Sequence, residues 1–508
     1  MHHSRLHKTL INAKFSLLFY LFLLLANFIA RSYFINLLGS EYVGLITIVN
    51  NFIGVLSLAE MGFASVITFA LFKPLANKDF VMINEIITII KFCYHLIGIT
   101  ILSSGLLFSL YAAHFFHKSN IEHEKIIFTF YTFLFITLLS YFYNFREVLL
   151  VADQRNYVKA ALLNGSKILK IIAQVIALKI YSHYLSWLFI EALFAIIYSV
   201  LLNKKINEYY PNIMAGVINK SLLKKHVFIL IKVRQSFFHK LCGISLQQTT
   251  AIFVYLFSSL PMVTIYTNYT IVTLSLLSLV NSLFDSLSSS VGNLIVEGKK
   301  LAIENVYWQL NVLRFLIATS VAYTCAISIN YFIIFWLGHE YLIEDKIKYS
   351  LIAVLFILIV RKTNDEFLTS NGIFHDVWAA VLEMTINLAL IFWLGRFFGI
   401  VAIPLSACIS MIIIVCCWKP FFLHKEFFKK SVVPYFFKII SYVLVSTIGL
   451  SFSSLIPIYQ PNGVSDFLLF VFIGSQAFIS SISIVGVLYV VFFKEMRELI
   501  KRLYFYFS

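Results

Sequence analysis

"VGLITIVNNFIGVLSLAEMGFASVITFALF", residues 43–72, is a run of thirty residues with a single ionisable side chain, Glu60. About 20 apolar residues at 1.5 Å each cross a hydrocarbon layer of roughly 30 Å. The run is therefore long enough to span a membrane, and Lys73 marks one end of it. Glu60 lies thirteen residues before Lys73, about 20 Å along a straight helix and so near mid-depth. A carboxylate there is costly in lipid and implies a polar, protein-lined surrounding. Asn50, Gly54, Ser57, Glu60, Ala64 and Thr68 fall at helical spacing along one stripe. Such a stripe suits either a close helix–helix contact or the wall of a cavity.

The rest of the chain repeats this pattern. Of 508 residues, 60% are hydrophobic and only 13% charged, too few charges to cover a water-soluble surface. Mean hydropathy is +0.88. Long apolar runs, rather than alternation over about 10 residues, exclude a membrane β-barrel. The expected fold is all-α and polytopic, with about fourteen membrane helices (twelve to fourteen) at roughly 15–36, 43–72, 92–116, 126–150, 158–180, 184–203, 236–259, 262–290, 310–336, 349–370, 376–398, 400–418, 435–457 and 466–492. The expected organisation is a first lobe over 1–203, a basic linker over 204–235, a second lobe over 236–420, and a helix pair with a basic tail over 421–508. The basic N-terminus leads into an apolar run without a small-residue cleavage signal and reads as a retained first helix.

The net charge of +16 has a topological explanation. With the N-terminus in the cytoplasm, cytoplasmic segments hold about 25 Lys and Arg and outer loops about 5. This positive-inside asymmetry puts both termini in the cytoplasm without any nucleic-acid partner. The outer loops are too short for a folded domain. The sequence holds no Gly-x-Ser-x-Gly and no P-loop, and its thirteen His are scattered. The six Cys include no Cys-x-x-Cys pair, so neither a metal site nor a disulfide framework is expected. These absences disfavour an ATP-driven pump and a membrane glycosyltransferase or polymerase.

What remains is a cationic, polar interior. Asn27 and Arg31 share a face of the first span. Lys240, Gln247 and Thr250 share a face of the seventh, and Arg314 lies in the ninth. These, with Asn50 and Ser57, are the candidate cavity residues. Glu60, Asp285 and Glu383 are candidates for charge balance or for ion coupling. In "RKTNDE", Arg361 is expected to pair with Asp365 and Lys362 with Glu366, each at i, i+4. Intramembrane charges on this scale suit a secondary transporter of an anionic, amphiphilic cargo.

Several stretches resemble polysaccharide flippases of the Wzx type (O-antigen and capsule translocases) in the multidrug/oligosaccharidyl-lipid/polysaccharide (MOP) exporter superfamily. They are "LLGSEYVGLITIVNNFIGVLSLAEMGFASVITFALFKPLANKD" (37–79), "LLVADQRNYVKA" (149–160), "YTNYTIVTLSLLSLVNSLFDSLSSSVGNLI" (266–295), "FWLGHEYL" (335–342) and "NGIFHDVWAAVLEMTINLALIFWLGRFFGIVAIPLSACIS" (371–410). The resemblance implies two six-helix lobes around a central cavity, working by alternating access in a bacterial inner membrane. It implies an undecaprenyl diphosphate-linked oligosaccharide as cargo, and cavity cations, here Arg31, Lys240 and Arg314, that meet the diphosphate. It implies no cofactor, with proton or sodium coupling open, a functional monomer, and polysaccharide polymerase and assembly proteins as partners. Lipid II and multidrug export within the superfamily are the nearest alternatives.

Overall fold

The computed structural model describes residues 22–57, 63–228, 248–297, 300–371, 373, 376–461 and 463–507. Among these residues the ordered structure is helical throughout, without strands. The helices are α1 (Phe22–Leu38), α2 (Ser40–Leu56), α3 (Phe63–Ala76), α4 (Phe80–Phe115), α5 (His123–Phe142), α6 (Val148–Ala152), α7 (Asn156–Tyr181), α8 (Tyr184–Tyr209), α9 (Lys220–Lys225) and α10 (Gln248–Phe257). They continue as α11 (Leu260–Glu297), α12 (Lys300–Leu337), α13 (Asp345–Ser370), α14 (Val377–Phe398), α15 (Ala402–Met411), α16 (Lys419–Leu423), α17 (Val433–Leu455), α18 (Asp466–Phe492) and α19 (Lys494–Phe507). Within the described residues each expected span overlaps one or more of these helices; the start of the first span and residues 236–247 of the seventh lie outside the described residues. The second span is α2 and α3. The twelfth runs from α15 through α16 to Phe428, with π-helical turns at Ile412–Trp418 and His424–Phe428. Pro420 lies between the two turns and lacks the N–H that a regular helix would use there.

The fourth span ends earlier than expected. The spacing predicts a helix to about residue 150, but α5 stops at Phe142, and a short turn at Phe145–Glu147 precedes α6. Asn144 explains the break. Its amide donates to Ser199 Oγ at 2.9 Å and its carbonyl accepts from Asn203 Nδ2 at 3.0 Å, so the chain turns to meet α8. Segment 204–209, expected in the basic linker, continues α8.

The chain divides into two compact units, Met1–Thr264 and Ile265–Ser508. In unit 1, α4, α5 and α8 form a packed set, and α7 lies against α8. The start of α11 is held to α2, where Thr264 Oγ1 donates to the Ser40 carbonyl at 2.7 Å. In unit 2, α12 is the central helix. It packs against α13, α17, α18 and α19, with Tyr307, Phe315, Phe367, Tyr442 and Tyr489 fully buried around it. Hydroxyls tie this core together: Tyr307 donates to Asn364 Oδ1 at 2.7 Å, and Ser446 bridges Thr319 at 3.1 Å and Tyr489 at 2.8 Å. Such pairing keeps buried polar groups satisfied where lipid offers none.

"LGSEY" (38–42) and "LGHEY" (337–341) share their glycine conformation, although α2 follows the first and a single 3-10 turn the second. Gly39 has φ 92° and ψ 163°, and Gly338 has φ 105° and ψ 169°. This backbone region is reached essentially by glycine alone, although nothing crowds a Cβ at either position. Gly338→Ala should therefore cost about 1–2 kcal/mol from backbone strain, seen as a lower Tm of the purified protein.

Candidate functional site

In unit 1, Asn27 is exposed on α1 and its amide folds back to the Leu23 carbonyl at 2.8 Å. Asn50 is exposed on α2 and does the same to Ile46 at 3.0 Å. Arg31 is half-buried one turn beyond Asn27, and Ser57 and Thr250 are half-buried at the ends of α2 and α10. The two amides each keep acceptor and donor capacity facing outward, which suits hydroxyl-rich ligands. Glu60, Lys240 and Gln247 lie outside the described residues. Asp285 belongs to α11, but its side chain also lies outside them.

Two glycines of α2, Gly44 and the stripe's Gly54, are close contacts. A Cβ on Gly44 would stand 2.2 Å from the Leu260 carbonyl oxygen, and one on Gly54 would stand 2.6 Å from the Gln248 side chain. Asn50, between them in sequence, stays open. Thus the stripe is a helix contact at Gly54 and open at Asn50, while Gly44, outside the stripe, is a second contact of α2.

In unit 2, Arg314 on α12 is 1% exposed. Its Nη2 donates to Glu366 Oε1 on α13 at 2.7 Å, and its guanidinium lies 4.3 Å over the Phe284 ring. Its charge is already balanced inside the unit. The expected Lys362–Glu366 pair is thereby corrected: Glu366 turns into the core toward Arg314. A helix presents i and i+4 on one face, but the buried guanidinium of another helix competes for the same carboxylate and wins because it is deprived of water.

The expected Arg361–Asp365 pair is present, with Nε to Oδ2 at 2.9 Å. Two further residues join it. Lys419 of α16 donates to Asp365 Oδ1 at 2.5 Å, and Glu383 of α14 stands 4.0 Å from Arg361 Nη1. Arg361, Asp365, Glu383 and Lys419 therefore bring two cations and two carboxyl groups together across three helices. Asp365→Asn would leave two cations facing a neutral amide. A loss of about 2 kcal/mol in stability is expected, the size of a charge-assisted hydrogen bond, measured by thermal unfolding in detergent.

Other groups were missed at the level of sequence. Glu191 on α8 accepts from Lys170 on α7, and from Gln174 Nε2 at 2.7 Å. Only the α7–α8 hairpin register brings these together. A cleft of about 440 Å³ in unit 1 is lined by Glu41, Tyr42, Asn120, Glu122 and Lys125 among others. Asn120 donates to Glu41 at 3.1 Å and Lys125 pairs with Glu122 at 3.1 Å. It offers donors and acceptors for hydroxyl groups near the end of α4.

Among the described residues, no group of three His, Cys, Asp or Glu could hold a metal ion. No protein-family model matches the sequence, and no curated protein matches it either. Solved structures do match by shape. An inward-closed structure of the lipid II flippase MurJ superposes with a TM-score of 0.66 at 16% identity, covering 95% of this chain and 99% of that one. An inward-facing multidrug-resistance MATE transporter of the MOP superfamily gives 0.56 at 12% identity, over 79% of this chain and 95% of that one. An outward-facing MATE transporter gives 0.51 at 13% identity, over 80% and 93%. The chain is thus a multi-helix membrane protein with the fold seen in the lipid II flippase MurJ and in MATE transporters of the MOP superfamily.

Proposed function

We propose that the protein is a flippase that moves undecaprenyl diphosphate-linked oligosaccharide units from the cytoplasmic to the outer leaflet by alternating access. The supporting observation is the extent of the shape match. The lipid II flippase covers 95% of this chain, whereas the MATE transporters cover 79–80%. The long, lipid-linked class of cargo is therefore favoured over small drugs. The stretches that resemble Wzx-type flippases point to O-antigen or capsule units within that class. Lipid II itself is the second reading, on the strength of the same shape match.

The chemistry of the chain agrees with such cargo. A diphosphate carries about two negative charges, which Arg or Lys neutralise through charge-assisted hydrogen bonds. Arg31 and Lys240 are assigned that role. Arg314 joins them only in a state where its Glu366 pair opens. Asn27, Asn50, Ser57, Gln247 and Thr250 are assigned to the sugar hydroxyls. Glu60, Asp285 and Glu383 are the candidates for proton or sodium coupling, or for charge balance. The reading includes no catalytic step, an inner-membrane location with cytoplasmic termini, action as a monomer, and hand-over to polysaccharide polymerase and assembly proteins.

Deleting the gene tests this. The expected result is loss of surface polysaccharide, with single lipid-linked units accumulating on the cytoplasmic side. Accumulation of lipid II with intact surface polysaccharide would favour the second reading. Normal levels of both would overturn the flippase assignment.

A further inference from the structure

Unit 1 holds a second cleft, of about 230 Å³, lined by Lys91, Tyr143, Phe145, Arg146, Asn203 and Met214 among others. Two of its walls are cationic, and among the described residues no carboxylate lines it. The nearest carboxylates in sequence are engaged elsewhere. Glu85 accepts from Lys225 at 2.7 Å and contacts His226 at 2.8 Å, and Glu147 accepts from Lys159 at 2.8 Å. Lys91 and Arg146 therefore face the cleft without a local counter-charge.

The cleft is built by specific contacts. Arg146 Nη2 donates to Asn203 Oδ1 at 3.2 Å, and Asn203 is itself held by Asn144 at 3.0 Å. Only part of the guanidinium is used, and its fork geometry leaves further donors for an oxyanion. The opposite wall, near Met214 and Ala215, is pinned to α4. Met214 N donates to Asn84 Oδ1 at 3.0 Å, and Gly216 N donates to Thr88 Oγ1 at 2.8 Å.

Its depth identifies the ligand class. α4 has 36 residues, about 54 Å of helix, far more than the roughly 30 Å hydrocarbon layer. Lys91 lies eleven residues from its start, where the helix would leave the hydrocarbon for the headgroup layer. Tyr143, with Phe142 and Phe145 beside it, supplies the aromatic rim common at that level. The described α9, with Lys220, Lys224 and Lys225, lies at the same end, where Lys225 pairs with Glu85 of α4. We infer that Lys91 and Arg146 bind the phosphate group of an anionic phosphate ester at this membrane surface, a lipid headgroup or a soluble phosphate. This site does not depend on the cargo assigned above.

The test uses the purified full-length protein. Phosphatidylglycerol, phosphatidylcholine and inorganic pyrophosphate are added separately, and binding is followed by native mass spectrometry and by the rise in Tm. Wild type should take up phosphatidylglycerol in preference to phosphatidylcholine, and pyrophosphate should compete if soluble phosphates share the site. Lys91→Gln/Arg146→Gln removes both cations and should weaken binding by more than about tenfold, the effect of losing even one charge-assisted hydrogen bond. Lys204→Gln, an exposed cation nearby in the sequence, should leave it unchanged. Should the double variant fold poorly, Lys91→Gln alone serves, because Lys91 takes no part in the Asn144–Asn203 network. Binding of phosphatidylglycerol alone assigns the lipid source, and binding of pyrophosphate alone assigns the soluble one. Failure of both probes to bind wild type, or equal binding by the Lys91 variant, would overturn the site.

Discussion

Arg314→Gln is expected to destabilise the protein by about 3–5 kcal/mol, because it strands the Glu366 carboxylate inside unit 2. The pair is nearly sealed, with side-chain exposures of 1% and 8%. Glu366→Gln should cost a similar amount, since it leaves the guanidinium without its counter-charge. Replacing both, as Arg314→Met with Glu366→Leu, should recover most of the loss, because a buried ion pair is often no more stable than apolar side chains of like volume. The measurement is the Tm, or a denaturant midpoint, of the detergent-purified variants. Equal Tm for wild type and Arg314→Gln would show that the pair carries no stability. If the double variant is stable but fails to transport, Arg314 acts on the cargo as well as on the fold. If it transports normally, Arg314 drops out of the cargo site.

Gly44→Ala is expected to cost about 3 kcal/mol, at the upper end for overpacking of a tight contact. The added methyl would meet the Leu260 carbonyl, which is main chain and cannot rotate away. The Thr264–Ser40 hydrogen bond in the same region should be lost as α2 moves off the start of α11. Gly54→Ala provides the contrast. There the obstacle is the Gln248 side chain, which has rotamers available, so a cost of about 1 kcal/mol is expected. Adding Gln248→Ser should relieve Gly54→Ala but not Gly44→Ala. Equal Tm values for the two glycine variants would contradict the assigned contacts.

The positions of the membrane helices were readable from the chain because each must bury its own backbone hydrogen bonds over a fixed apolar length. That constraint is local, so apolar runs mark spans without any knowledge of neighbours. The Gly39 and Gly338 turns were half-readable. "LG-x-EY" recurs in the sequence, but only the structure shows that both glycines take positive φ. The Arg361–Asp365 pair was readable too, as both ends lie on one helix face.

The sites depended on registers between helices. Glu366 could meet Lys362 by spacing alone, but Arg314 from α12 takes it. Lys419 reaches Asp365 only because α16 passes beside α13. The Lys91–Arg146 cleft joins the start of α4, the turn after α5, the end of α8 and the loop beyond it. No periodicity in the sequence relates those four places. The sequence by itself therefore determined that the chain crosses a membrane many times and roughly where it does so. Only the tertiary structure decided which charges neutralise one another and which remain open, because in a medium without water each buried charge settles on the partner that interhelical packing brings within reach.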